Sequence, residues 1–355
     1  MTYSFPKLLE TLAAGRREGR GLVLATIVET DGSTPQVAGA SAIFSSAGLV
    51  AGTVGGGLLE ARVESAAEKA LQDGKARLIS VRLDADPSDA EGAICGGTSR
   101  VLVDPGVDTA KGIYESALEG FRKRRGGALI SRVSPRQDDL VALERGWLPE
   151  GAPVLPDDPV FGEIAPGVLE DVLASGRPRL LRAGDRMTFV VPVLPLPRLV
   201  IAGAGHVGKA VAHLASLLDF SVTVVDDRPE FANAVNVPDA DEIIVGDIGE
   251  AVRNVEDSPD NYFVIVTRGH KKDAEALRAA IGREAAYIGM IGSKRKIELM
   301  QCEFLESGWA SAAQWAGVHA PIGVDIGSRT VEEIAVSIAA ELVVVRSAQS
   351  GTRRP

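Results

Sequence analysis

The chain has 355 residues, enough for two domains, and its 45% hydrophobic and 24% charged residues suit an ordinary globular protein. A formal net charge of −10 argues against general binding to nucleic acid or anionic membranes but leaves room for a local basic pocket. The two cysteines, Cys95 and Cys302, offer no disulfide framework and fit a reducing cytoplasm, and neither a secretory leader nor an apolar run long enough to span a bilayer is expected from the sequence.

Residues 5–20 have the spacing of a short amphipathic helix, and Leu22-Val23-Leu24-Ala25-Thr26-Ile27-Val28 reads as a buried strand. That strand runs into a loop of hydroxyls and one carboxylate, Glu29-Thr30-Asp31-Gly32-Ser33-Thr34-Pro35. A hairpin is expected around Ser46-Ala47-Gly48. Then Gly55-Gly56-Gly57 stands at the start of a strong helical pattern over residues 58–71. Bare amides, no Cβ and a favourable helix dipole are the ingredients of an anion site; a flexible connection is the competing reading. The missing lysine and threonine exclude an ordinary P-loop.

Residues 78–83 and 100–104 are further strand candidates. Between them lies Cys95 beside Gly96 and Gly97, an open backbone around a sulfur. Such a cysteine can be a thiolate, a sulfur acceptor or a soft-metal ligand, or simply a small buried residue. No second cysteine lies nearby, which argues against a closed zinc site.

The middle reads as a helix over residues 112–125 ending in the solvated cluster Arg122-Lys123-Arg124-Arg125, then strands at 128–133 and 140–143 of a sheet that continues the first domain. Residues 146–166 read as an irregular excursion, 168–174 as a short helix and 187–191 as a last strand. Pro192, Pro195 and Pro197 make a stiff connector. The expected organisation is therefore an N-terminal mixed α/β domain over 1–191, a connector at 192–197, a second domain over 198–345 and a tail from 346.

The second domain opens with the clearest signal. An apolar run, Leu199-Val200-Ile201-Ala202, enters the G-x-G-x-x-G turn Gly203, Gly205, Gly208, followed by a helical pattern and a second run ending at Asp226. That order is expected of a dinucleotide-binding unit in a Rossmann-like parallel sheet, with Asp226 placed to bond a ribose hydroxyl. His206, in a variable slot of the turn, either starts the helix or touches the ligand.

Three more strands are expected near 242–247, 261–266 and 286–291, with helices over 273–281, 295–305 and 331–345. Loops at the carboxyl ends of parallel strands gather at one crevice, so Arg268 to Lys271, Gly292 to Lys296 and Gly323 to Arg329 should converge there. Arg268, His270, Ser293 and Lys294 are the candidate ligand contacts among them. Asp325 is either a helix cap or a ligand-facing acid, and Cys302 reads as structural.

Taken in order, the 25–35 segment, Gly55-Gly56-Gly57, Cys95-Gly96-Gly97, Gly203-Ala204-Gly205-His206-Val207-Gly208, Thr267-Arg268-Gly269-His270-Lys271, residues 288–296 and residues 321–328 closely resemble the XdhC/CoxI family. These are accessory proteins of xanthine dehydrogenase and related molybdenum hydroxylases. The resemblance implies a chaperone that binds the molybdenum cofactor, as molybdopterin or its dinucleotide form. It also implies help with sulfuration by a cysteine desulfurase and delivery to an apo-molybdenum hydroxylase. Cys95 would then handle sulfur or ligate molybdenum; Gly55, Gly56 and Gly57 would hold pterin or phosphate; Gly96 and Gly97 would be further cofactor contacts; and Gly203, Gly205, Gly208 and Asp226 would hold a nucleotide portion. Two alternatives stay open on the sequence: an NAD(P)-dependent oxidoreductase with His270 or Lys271 as acid–base groups, and a scaffold between desulfurase and hydroxylase that holds no cofactor. An even homo-oligomer is compatible with domains pairing across chains and rests on no particular residue.

Overall fold

Helix α1 (Phe5–Arg17) precedes strand β1 (Val23–Asp31), which is apolar on both faces and so becomes the middle of a sheet. Val23, Ala25 and Ile27 pack on one side, Leu24 and Val28 on the other, as the two-residue period of a strand requires. The computed structural model describes residues 5–83, 96–106, 111–153, 158, 160–162, 164–165 and 167–349. It divides into two units, Met1–Pro195 and Leu196–Pro355.

In the first unit β2 (Ser41–Ser45), β3 (Gly48–Gly52), β4 (Arg77–Arg82) and β5 (Thr98–Asp104) join β1 in the antiparallel order β3-β2-β1-β5-β4. Helix α2 (Gly57–Asp73) covers one face with Leu59, Val63, Ala66, Ala67 and Ala70, whose three- and four-residue spacing makes a single apolar stripe. Burying Leu59 and Val63 contributes about 1.5–3 kcal/mol each. Gly74 ends the helix in the left-handed conformation, its N–H bonded to the Ala70 carbonyl.

Helix α3 (Lys111–Arg122) packs with α1, and β6 (Gly127–Pro135), β7 (Val141–Pro149), β8 (Arg179–Ala183) and β9 (Arg186–Val193) form a second antiparallel sheet, β7-β6-β9-β8. The middle strands thus lie in a sheet of their own within the first unit. Their inner residues Val133, Met187, Phe189 and Val191 meet Val28 and Leu102 face to face, and α4 (Val168–Ser175) covers the outer face. Residues 146–149 are the end of β7 rather than the start of an excursion, and β8 was not legible. A buried ion pair ties the layers, with Arg145 Nε donating to Asp104 Oδ2 at 2.6 Å and Tyr114 Oη to the same oxygen at 3.1 Å.

In the second unit β10 (Arg198–Ala202), β11 (Ser221–Asp226), β12 (Glu242–Val245), β13 (Asn261–Ile265) and β14 (Tyr287–Met290) form an all-parallel sheet in the order β12-β11-β10-β13-β14. Strand order reverses between β10 and β13, which opens a crevice at the carboxyl ends of these strands. Helices α5 (His206–Leu217) and α10 (Val331–Gln349) pack on one face through Val211, Ala215, Ile338 and Leu342. On the other face lie α6 (Ile248–Arg253), α7 (His270–Ala280), α8 (Lys294–Glu306) and α9 (Ala312–Ala316), through Val252, Leu277, Phe304 and Trp315.

Several local readings are corrected here. The last helix continues past Arg346, whose Nη1 donates to the Leu218 carbonyl at 2.6 Å and whose guanidinium lies 4.9 Å from the Phe220 ring centroid. Thr330, not Asp325, caps that helix: its Oγ1 accepts from Glu333 N–H at 3.2 Å while Asp325 closes a turn on Gly327 N–H. Cys302 is exposed on α8 and packs in no core. Among the described residues no helix is long and apolar enough to cross a membrane.

Candidate functional site

Each unit carries one concentration of glycine-lined backbone. In the first, the loop after β1 is gripped from two sides. A Cβ on Gly97 would lie 2.3 Å from the Ser33 carbonyl oxygen and 2.7 Å from that of Asp31, so only glycine permits this approach. On the other side Gly55 abuts Pro35. Three segments distant in sequence, the 31–36 loop, the glycine triad and Gly96-Gly97, therefore meet.

Gly56 is the N-cap of α2 and no side chain caps the helix; nothing lies within 4 Å of where a Cβ of Gly56, Gly57 or Gly96 would stand. The backbone is thus bare toward an incoming group. Thr53 braces the turn, its Oγ1 donating to Glu60 Oε2 at 3.1 Å and accepting from Gly55 N–H at 3.0 Å. At the loop's base the Arg182 guanidinium, bonded to both Glu29 oxygens at 2.6 Å, holds that carboxyl below the ordinary range against the effect of burial, and Arg100 adds to it. Cys95 lies outside the described residues; its chain neighbour Gly96 is exposed beside this loop.

In the second unit the G-x-G-x-x-G turn sits at the carboxyl end of β10. A Cβ on Gly208 would lie 1.8 Å from the Gly203 oxygen, so α5 packs on the turn only because that position is glycine. Gly205 caps α5 without a side-chain bond and has open space before it, and His206 is the exposed first residue of the helix.

Asp226 ends β11 where a ribose-reading acid belongs, but its carboxylate is used inside the protein. Oδ2 accepts from Ala204 N–H at 2.8 Å and Arg228 Nη2 at 2.9 Å; Oδ1 accepts from Arg228 Nε at 2.8 Å and its N–H at 3.1 Å. Burial works against the charge, yet Arg228 and the amides outweigh it and hold the carboxyl below its usual range. Arg228 also lies 4.0 Å from the Phe231 ring centroid. The residue anticipated as a ligand contact thus ties Ala204 of the glycine turn to Arg228, and its neighbour Asp227 stands 3.6 Å from Lys272 Nζ.

Of the loops expected to converge, two are joined by a residue not singled out in the sequence. Asp273, with 0% exposure, accepts from Thr267 Oγ1 at 2.6 Å and Thr267 N–H at 3.2 Å, and pairs with the Lys296 ammonium. Burial raises its carboxyl above the usual range although Lys296 and Thr267 pull the other way. An acid in the first turn of a helix and a lysine three residues beyond a serine cap were the only signals available.

His270 is the first residue of α7 and its Nε2 lies 2.9 Å from Glu303 Oε2 on α8. Ser293 caps α8, accepting from Lys296 N–H at 3.3 Å. Both line an open cleft of about 550 Å³ with Arg295, Lys296, Leu299 and Glu303. Arg268 and Lys294 are exposed and make no side-chain ion pair among the described residues. The third loop begins at the end of β14, where Ile322 N–H donates to Met290, then turns onto α10 through Val324 and Ser337. Among the described residues no three His, Cys, Asp or Glu side chains are grouped to hold a metal.

A parallel sheet with a glycine turn at its switch point makes the second unit a Rossmann domain. Residues 199–342 match the family model described as the XdhC Rossmann domain, and residues 15–82 that of the XdhC and CoxI family. The chain belongs to this family. It is 27% identical to a protein of Bacillus subtilis named as a probable xanthine dehydrogenase component, over 97% of this chain and 98% of that one. It is 23% identical to "Molybdenum cofactor insertion chaperone PaoD" of Escherichia coli, over 92% and 84%. "Uncharacterized protein YqeB" of E. coli is 27% identical over 92% of this chain, which spans only 44% of that protein's length. A crystal structure described as a xanthine dehydrogenase from Bacillus halodurans superimposes with a TM-score of 0.75 at 26% identity, over 99% of this chain and 98% of that one.

Proposed function

We propose that this chain is an accessory protein that holds the molybdenum cofactor as cargo, assists its sulfuration by a cysteine desulfurase and passes it to an apo-hydroxylase of the xanthine dehydrogenase type. The observation that carries this reading is the meeting of the 31–36 loop, the uncapped Gly55-Gly56-Gly57 start of α2 and exposed Gly96. It is a bare-backbone cradle directly after Cys95 in sequence. The cargo supplies molybdenum, sulfur ligands and a phosphate. Glycine amides suit the anionic and pterin parts, and a cysteine is the soft donor suited to sulfur or molybdenum. Relatives named for xanthine dehydrogenase and for cofactor insertion support the assignment. The engaged carboxylate of Asp226 speaks against a dinucleotide oxidoreductase that reads its ribose there.

The test is anaerobic co-purification with the cofactor, followed by molybdenum and pterin analysis and activation of an apo-hydroxylase, for wild type and Cys95→Ala. Wild type should retain cofactor and activate the hydroxylase, and Cys95→Ala should lose one or both. Retention without activation places Cys95 at sulfuration or transfer. Full activation by the variant removes Cys95 from the mechanism, and a wild type that retains no cofactor defeats the accessory reading.

A further inference from the structure

A lysine that serves only solubility extends into water, and Lys296 does not. Its ammonium contacts the carboxylate of fully buried Asp273, lies 3.3 Å from the Ile291 carbonyl, and leaves only 25% of the side chain exposed. Thr267 takes up Asp273 Oδ1, so the carboxylate is satisfied and the ammonium is held still. Two of the three ammonium donors are thus used inside the protein, and one remains for the cleft that Lys296 lines. Arg295 adds a second cation to the lining, and Leu299, 59% exposed, adds an apolar surface. Glu303, the one acid of that lining among the described residues, is engaged by His270 at 2.9 Å.

We propose that the cleft between α7 and α8 is a subsite for a phosphate monoester carried on a flat heterocycle. Lys296 meets the phosphate, Leu299 meets the ring, and Asp273 is the positioning residue that fixes Lys296. The inference goes beyond the accessory reading, which stands on the first unit's glycine cradle, and rests on the lining of this cleft alone.

The test titrates the full chain calorimetrically with CMP and GMP, and with cytidine and guanosine as phosphate-free controls. Wild type is compared with the double variant Asp273→Asn/Lys296→Gln, which leaves no buried charge unpaired, and with Leu299→Glu, an exposed change that sets a negative charge beside the phosphate. The monophosphates should bind wild type on the order of tenfold or more tighter than their nucleosides, the gain of one charged hydrogen bond. Both variants should weaken monophosphate binding by a similar factor. Equal binding of nucleoside and nucleotide, no binding to wild type, or undiminished binding to Leu299→Glu overturns the proposal, even if the double variant fails to fold. No molybdenum cofactor enters this titration. Its failure therefore leaves a positive cofactor-retention result standing, and failed retention with intact nucleotide binding strikes the accessory reading alone.

Discussion

Asp226→Asn distinguishes an internal brace from a ligand-reading acid. The native carboxylate accepts four hydrogen bonds, two on each oxygen, three of them from Arg228. Asparagine keeps the shape but turns one oxygen into a donor, so two of the four bonds fail and Arg228, 17% exposed, loses its counter-charge. Removing one partner of a buried ion pair costs about 3–5 kcal/mol. Asp227, 3.9 Å from Arg228 Nε, offers a partial substitute, so a loss of about 2–4 kcal/mol is expected.

The pH dependence has a definite sign. The folded carboxyl lies below its ordinary value, so its contribution is complete above a pH of about 4 and drains as pH falls through the folded value. The assay is hydrogen exchange of the β10 and β11 amides read by mass spectrometry, at neutral pH and again in acid. The variant should exchange faster at neutral pH, and the gap should close in acid. Equal exchange at neutral pH, or a gap that persists undiminished in acid, refutes the brace. A ribose-reading acid would instead change nucleotide affinity and leave exchange alone.

Gly208→Ala should destabilise the second unit by about 1–3 kcal/mol or more, because the added carbon would sit 1.8 Å from a backbone oxygen that cannot rotate away. An unchanged thermal midpoint for that unit would show that the helix and turn are less closely packed than described. Spectrophotometric titration should find three tyrosines resisting ionisation, with burial the main cause in each: Tyr114 and Tyr287 well above the ordinary phenol value and Tyr262 near about 12. Their folded values are raised, so the stability they add is complete below a pH of about 10 and is lost as pH climbs through the folded values. Normal titration of all three in the native protein would contradict their burial.

The glycine turn of the second unit was legible because close backbone approach admits one residue type, whatever the rest of the chain does. Gly208 against Gly203 and Gly97 against Ser33 leave that mark in any sequence that folds this way. The parallel strands were legible for a related reason: β-branched runs such as Val222 to Val225 pack best on a pleated surface buried on both sides. Strand β8 left no such trace, because its residues are half-buried or exposed and show no apolar alternation. Helix α6, at six residues, is too short for a helical period to register.

Conformational preference is a property of a few neighbouring residues, and that much the amino-acid order determined alone: the Rossmann turn, the uncapped glycine start of α2, and the loops that carry cations. Partnership is a property of distance in space, and there the tertiary structure decided. It turned Asp226 inward onto Arg228, set Asp273 under Lys296 from another loop, and made the middle strands a second sheet facing the first. A carboxylate or an ammonium looks the same in a sequence whether it faces ligand or protein. Only the packing of segments remote along the chain settles which charges remain available.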